Sequence, residues 1–246
     1  MSELKALIFD VDGTLAETEE QHRLAFNAAF ARAGLPYEWS EDRYRELLGV
    51  TGGKQRMAAY FAAVGDDTSP ATIAALHAAK NGLYAQRVTA GQVRLRTGIA
   101  RVLMEARDAG LRLAIATTTS RENLIALLRA TLGSATRIFE VMVTGEDVKT
   151  LKPDPEVYLK AMAQLGLPPE NCLAFEDSAV GLESATRAGL KTIVTPSIYT
   201  SHHRFGQAAL VVNSLGEPGC PVRVYQGNLP PDAHVNLDIL QHIAES

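Results

Sequence analysis

Short apolar runs that stop abruptly in polar clusters recur along this chain, and they constrain its fold more than any other feature. Lys5-Ala6-Leu7-Ile8-Phe9 has no polar alternation, so it reads as a strand buried on both faces, and it runs into Asp10-Val11-Asp12-Gly13-Thr14. Leu111–Ala116 is followed by Thr117-Thr118-Thr119-Ser120. Phe139–Thr144 leads through an acidic turn to Lys152-Pro153-Asp154-Pro155, and Cys172–Phe175 ends in Glu176-Asp177-Ser178. A helical pattern follows each run. This alternation predicts an α/β fold built on a doubly wound, parallel, Rossmann-like sheet. Ligands of such sheets lie in the crevice beyond the carboxyl ends of the strands, so Asp10, Asp12, Thr117, Lys152 and Asp177 are expected to converge there.

The residue types in that crevice point to one kind of chemistry. Two aspartates at i and i+2 repel unless a cation or a shared proton compensates. At a strand end they suit Mg²⁺, a hard ion bound by a few carboxylates and by phosphate oxygens. Each cluster also has an ordinary explanation. Asp-Gly is common turn chemistry, Thr117 is also readable as an ordinary strand-end threonine, a lysine beside a proline is usually solvated, and acidic residues favour the first turn of a helix. The joint occurrence of all four, in this order and at these strand ends, favours the site. Asp10, nearest the strand end, is the expected nucleophile. Asp12 is placed to protonate the leaving oxygen and then to activate water.

The four clusters resemble the four motifs of the haloacid dehalogenase superfamily of phosphotransferases, across nearly the whole chain. The resemblance implies a phosphatase working through an aspartyl-phosphate. Mg²⁺ would be held by Asp10, the Asp12 backbone carbonyl, Asp177 and Glu176, the last directly or through water. Thr117 and Lys152 would bind the transferring phosphoryl group, with Thr118 beside them.

Between Thr14 and about Leu111 the chain is helical by pattern. Phe26, Ala29, Phe30 and Ala33 share a face, as do Met57, Tyr60, Phe61 and Val64, and Ile73, Leu76, Leu83 and Tyr84 mark a further helix. This resembles the small helical cap inserted after the first motif in one branch of the superfamily. The expected division is a cap over 16–93 and a core of 1–15 and 94–246, with hinge strands near Leu15 and Gln92–Leu95. Gly216 to Asp232, rich in Gly and Pro, reads as a surface loop, and Val235–Ala244 as a last helix.

Two cap stretches carry unusual chemistry: Glu17, Glu20 and His22 after the catalytic loop, and Thr51-Gly52-Gly53-Lys54 where a helix begins. The Thr-Gly-Gly-Lys turn offers N–H groups, a hydroxyl and an ammonium to a second phosphate, or is simply an N-capping threonine with a solvated lysine. His22 either reaches the site or packs on the face of Phe26 and Ala29. Lys80 is the weaker candidate, since a lone helix lysine is usually exposed. These stretches resemble the CbbY-type branch, sugar-bisphosphate phosphatases associated with the Calvin cycle, which implies xylulose-1,5-bisphosphate as substrate. A β-phosphoglucomutase-like mutase is the alternative, although Gly52 stands where that branch has an arginine. A phosphoglycolate-type phosphatase and a catalytically silent binding protein on the same fold are the others.

Composition bounds the partners. Net charge is −4 over 246 residues, and the charges are interspersed, so no nucleic-acid partner is expected. No apolar run approaches the ~18 residues of a membrane span. The first predicted strand begins at Lys5, leaving no room for a signal peptide. The two cysteines form neither a disulfide framework nor a zinc spacing. A cytoplasmic monomer is expected.

Overall fold

The computed structural model describes residues 3–246. Its centre is a seven-stranded sheet in the order β3-β2-β1-β4-β5-β6-β7. The strands are β1 (Ala6–Phe9), β2 (Arg112–Ala116), β3 (Phe139–Val143), β4 (Cys172–Glu176), β5 (Lys191–Val194), β6 (Leu210–Val212) and β7 (Val224–Gln226). All pairs are parallel except β6–β7, which is antiparallel.

β1 is central, as its unbroken apolar run requires. Leu7 and Phe9 enter the larger core cluster on one face, while Ala6 and Ile8 enter a second cluster on the other. Phe9 stacks on Phe175 of β4 with ring centroids 4.3 Å apart. In register, Phe9 lies beside Ile115 of β2 and Phe175 of β4. The residues that follow these three strands therefore emerge side by side. Helices α5 (Ile99–Asp108), α6 (Arg121–Leu132), α7 (Glu156–Leu165), α8 (Ala179–Arg187) and α9 (Leu237–Glu245) belong to the part of the chain that carries the sheet.

Helices α1 (Glu19–Arg32), α2 (Glu41–Leu47), α3 (Gly53–Ala63) and α4 (Pro70–Thr89) form the cap. Phe26, Phe30, Trp39, Tyr44, Met57 and Phe61 give it an aromatic-rich core of its own. Ala33 is exposed because α1 ends there, and Val64, the C-cap of α3, is exposed for the same reason. The chain leaves the sheet and returns to it at one place: Ala16 and Leu95 form an antiparallel bridge, and Arg96 N–H donates to Leu15 O at 2.9 Å.

Two expectations need correction. Gly216–Asp232 is not wholly loop, for it contains the edge strand β7, which pairs with β6 through Val212 and Val224. Glu176 is the last residue of β4 rather than the start of the following turn, and this buries it. The last helix, capped by the Asn236 side chain on Ile239 N–H at 3.1 Å, buries Leu240 and Ile243 as its pattern implies.

Candidate active site

Asp10 continues β1, its N–H donating to Phe175 O at 3.0 Å, which fixes its backbone beside β4. The Lys152 ammonium donates to Asp10 Oδ1 at 2.7 Å, to Glu176 Oε1 at 2.6 Å and to the Ala116 carbonyl at 2.9 Å. Tyr158 O–H adds a 2.6 Å bond to Glu176 Oε1. All of these side chains are buried. Burial pushes the Asp10 carboxyl upward and Glu176 adds to the rise, while Lys152 pulls against them. Burial alone would lower the Lys152 ammonium, but Asp10 and Glu176 more than reverse this. The ammonium is the form the site requires, because its three bonds all end on oxygen acceptors.

Asp177 completes an acidic cluster. One carboxylate oxygen from each of Asp10, Glu176 and Asp177 lies within 4.8 Å of the others. Burial, then the charges of Asp10 and Glu176, hold Asp177 well above the usual carboxylate range. One lysine against three buried carboxylates leaves an excess of negative charge, and every donor is a hard oxygen. That set fits Mg²⁺. Two glycines make room for it: a Cβ on Gly13 would lie 2.3 Å from Asp177 Oδ2, and one on Gly181 would lie 1.9 Å from Glu176 Oε2.

Asp12 is held from the other side. Its Oδ1 accepts from Thr18 Oγ1 at 2.5 Å and meets His22 Nε2 at 3.0 Å, while His22 Nδ1 meets Lys80 Nζ at 2.8 Å. The tautomer that satisfies every atom has the ammonium donating to Nδ1 and Nε2–H donating to Asp12. Burial would raise Asp12, but His22, Thr18 and Lys80 outweigh it and hold the carboxyl below its ordinary value. Burial, with Lys80, lowers His22, in keeping with a neutral ring. Burial also brings Lys80 down to about 7 against the pull of Asp12. The ring of His22 stacks on Tyr84 at 3.9 Å, and Lys80 Nζ lies 4.7 Å from the Phe26 centroid, so cap aromatics pack around the pair.

These groups open onto a cavity of about 590 Å³ between the strand ends and the cap. Thr117 and Thr118 line it from the core, and Thr51, Gly52, Gly53 and Lys54 line it from the start of α3. Thr117 is buried, and its Oγ1 accepts from Thr119 N–H at 3.2 Å. Glu17 is a correction: it lies outside this cavity and pairs with Arg96 at 3.3 Å, because the linker turns its side chain toward the returning segment, which is an isolated bridge at Leu95 rather than the expected hinge strand. Lys80 is a correction of the opposite sense, buried and inside. Arg56 and His77 line the same wall and were not singled out from sequence. Burial first, and then the charges of Lys80 and Lys54, bring His77 down to about 4, which leaves its ring uncharged at neutral pH.

A family model described as haloacid dehalogenase-like hydrolase matches residues 7–195. The Protein CbbY of Rhodobacter capsulatus is 55% identical over 84% of this chain and 91% of its own length. A phosphorylated carbohydrates phosphatase of Thermotoga maritima is 34% identical over 77% of this chain and 84% of its own. The crystal structure of a mutant CbbY from Rhodobacter sphaeroides with xylulose-1,5-bisphosphate superposes with a TM-score of 0.84. That protein is 46% identical, over 88% of this chain and 96% of the other.

Proposed function

The chain belongs to the haloacid dehalogenase-like hydrolase family, and we propose that it is a Mg²⁺-dependent phosphatase of a sugar bisphosphate, xylulose-1,5-bisphosphate foremost. The observation that carries this reading is the two-ended cavity. Asp10 and its acidic neighbours stand at one end, and the cations Lys54 and Arg56 line the cap wall. A sugar with a phosphate on each end suits both ends once Mg²⁺ is counted: the ion would offset the carboxylates for one phosphate, and the cap cations would meet the other. The segment 16–93 acts as the cap and the rest of the chain as the core.

An Asp10 oxygen attacks phosphorus and the bond to the sugar oxygen breaks, leaving an aspartyl-phosphate. Asp12 gives its proton to the departing oxygen. Water then attacks the phosphorus, Asp12 takes a proton from it, and the Asp10–phosphorus bond breaks to release inorganic phosphate. Asp12 is ionised in the resting network, which suits the second half. For the first half, the Lys80–His22 chain of hydrogen bonds ends on Asp12 Oδ1 and can deliver a proton there. Thr117 and Thr118 bind the phosphoryl oxygens, and Lys152 joins them by exchanging one of its three protein hydrogen bonds for a phosphoryl oxygen. Asp10, Asp177, Glu176 and the Asp12 carbonyl would hold Mg²⁺, which supplies positive charge where two anions must meet.

A panel of sugar mono- and bisphosphates, assayed for released phosphate with Mg²⁺, tests this. The highest kcat/KM is expected for xylulose-1,5-bisphosphate. Conversion to an isomeric sugar phosphate without net phosphate release would identify a mutase instead, and no turnover of any ester would leave a binding protein.

A further inference from the structure

The loop after β5 touches three parts of the molecule within six residues. Its base is pinned: Thr195 N–H donates to Glu176 O at 2.8 Å, and the Arg96 guanidinium donates to the carbonyls of Thr195 at 2.5 Å and Pro196 at 2.9 Å. Tyr199 then leaves the core altogether. It is 3% exposed, packed in the aromatic cluster of the cap, edge-on to Tyr44 with centroids 5.7 Å apart, and its hydroxyl donates to Glu20. Thr200 turns back into the active site. Its Oγ1 accepts from Ser197 N–H at 2.9 Å and shares its proton between Asp177 O at 2.8 Å and Asp177 Oδ2 at 3.0 Å.

We propose that Tyr199 is a positioning residue that links the seating of the helical cap to the orientation of the Asp177 carboxylate through Thr200, so that cap docking and Mg²⁺ affinity rise and fall together. The inference rests on the reading of Asp177 as a Mg²⁺ ligand. Neighbouring Cα atoms are only ~3.8 Å apart, so a shift of the Tyr199 ring with α1 and α2 displaces Thr200 as well. With the base of the loop clamped by Arg96, the movement cannot dissipate backward along the chain. A packed core passes on such a displacement rather than absorbing it. Linkage makes the effect reciprocal: a cap that tightens Mg²⁺ binding is itself held more firmly once Mg²⁺ is bound.

The test is calorimetric titration of the full chain with MgCl₂, without any sugar phosphate, for the wild type, Thr200→Val, Tyr199→Ala and the double variant. Thr200→Val removes the hydrogen bond to the Asp177 carboxylate, together with those to Asp177 O and from Ser197 N–H, and should weaken Kd about tenfold. Tyr199→Ala should weaken it severalfold, and the double variant should bind no more weakly than Thr200→Val alone, as for two links of one chain. Phe30→Leu, in the same aromatic cluster but without a link to the loop, should lower Tm and leave the Mg²⁺ Kd unchanged. A wild-type Kd for Tyr199→Ala, or losses that multiply in the double variant, would overturn the coupling. Tyr199→Phe keeps the ring and deletes only the Glu20 bond. Should the alanine variant not fold, a smaller shift in the same direction for phenylalanine supports the coupling, and an unchanged Kd overturns it. Failure of the wild type itself to bind Mg²⁺ would overturn the metal reading first, and the coupling with it.

Discussion

Replacing Lys152 with methionine removes the one ammonium that binds both Asp10 and Glu176, at 2.7 and 2.6 Å, in a side chain only 5% exposed. Deleting one partner of a buried ion pair costs ~3–5 kcal/mol, because the other charge is stranded without water. Here one cation serves two carboxylates, so the upper end applies. In a chain of this size each kcal/mol moves Tm by ~2–4 °C, which gives a fall of roughly 10–20 °C at neutral pH. The stranded carboxyls escape by taking up protons, so their folded-state pKa rises above the unfolded value. A carboxyl raised in this way keeps its stability at low pH and loses it as pH climbs through the window between the two values. The deficit should therefore be modest near pH ~5 and larger near pH ~8. Saturating Mg²⁺ should recover part of it by binding the folded state. Scanning calorimetry at both pH values, with and without Mg²⁺, reads all of this. A variant with wild-type Tm at both, or with a deficit that shrinks as pH rises, would show that Lys152 does not neutralise this cluster.

Asp12→Ala should lose ~10²–10⁴-fold in kcat on a sugar phosphate and less on p-nitrophenyl phosphate, whose leaving group needs no proton; equal losses would make Asp12 a shaping residue only. Lys54→Ala should lower kcat/KM for a bisphosphate by roughly ten- to a hundredfold and leave p-nitrophenyl phosphate nearly unaffected, whereas parallel losses would reduce the Gly52-Gly53 turn to a helix start. Lys80, held at about 7 against 10.5 when free, binds fewer protons folded than unfolded between those values. Stability should therefore climb as pH rises above about 7, and Tm against pH for Lys80→Met should lose that slope.

The core half of the site was legible because Asp10, Thr117 and Asp177 stand at the ends of short apolar runs that strand register brings side by side, and Lys152 lies in the turn that follows the run of β3. Asp10, Thr117, Lys152 and Asp177 line the crevice for that reason. Glu17 misled because a carboxylate near the catalytic loop has two directions to face, and only the position of Arg96 on the returning segment decides between them. Lys80 did carry a signal. It falls four residues after Leu76 and four before Tyr84, in register with the buried face of α4, so a lysine there had to be buried and partnered. The Tyr199 contact had none, since a tyrosine in a loop does not declare that another domain will close around it. The edge strands β6 and β7 were missed because three residues are too few for a period to register.

The bridge between Ala16 and Leu95 has a consequence for assembly. Pairing β1 with β2 requires two segments separated by the whole helical insertion to meet, and loop-closure entropy grows with the length of chain between them. Once α1–α4 are folded, however, the insertion begins and ends at neighbouring points, and the sheet meets it as if it were a tight turn. The strands are then spared most of the search that their separation in sequence would impose. By the same geometry the insertion is a cassette: a different set of helices whose ends met in the same way could replace it, changing which molecule is admitted while the register of β1 stays as it is.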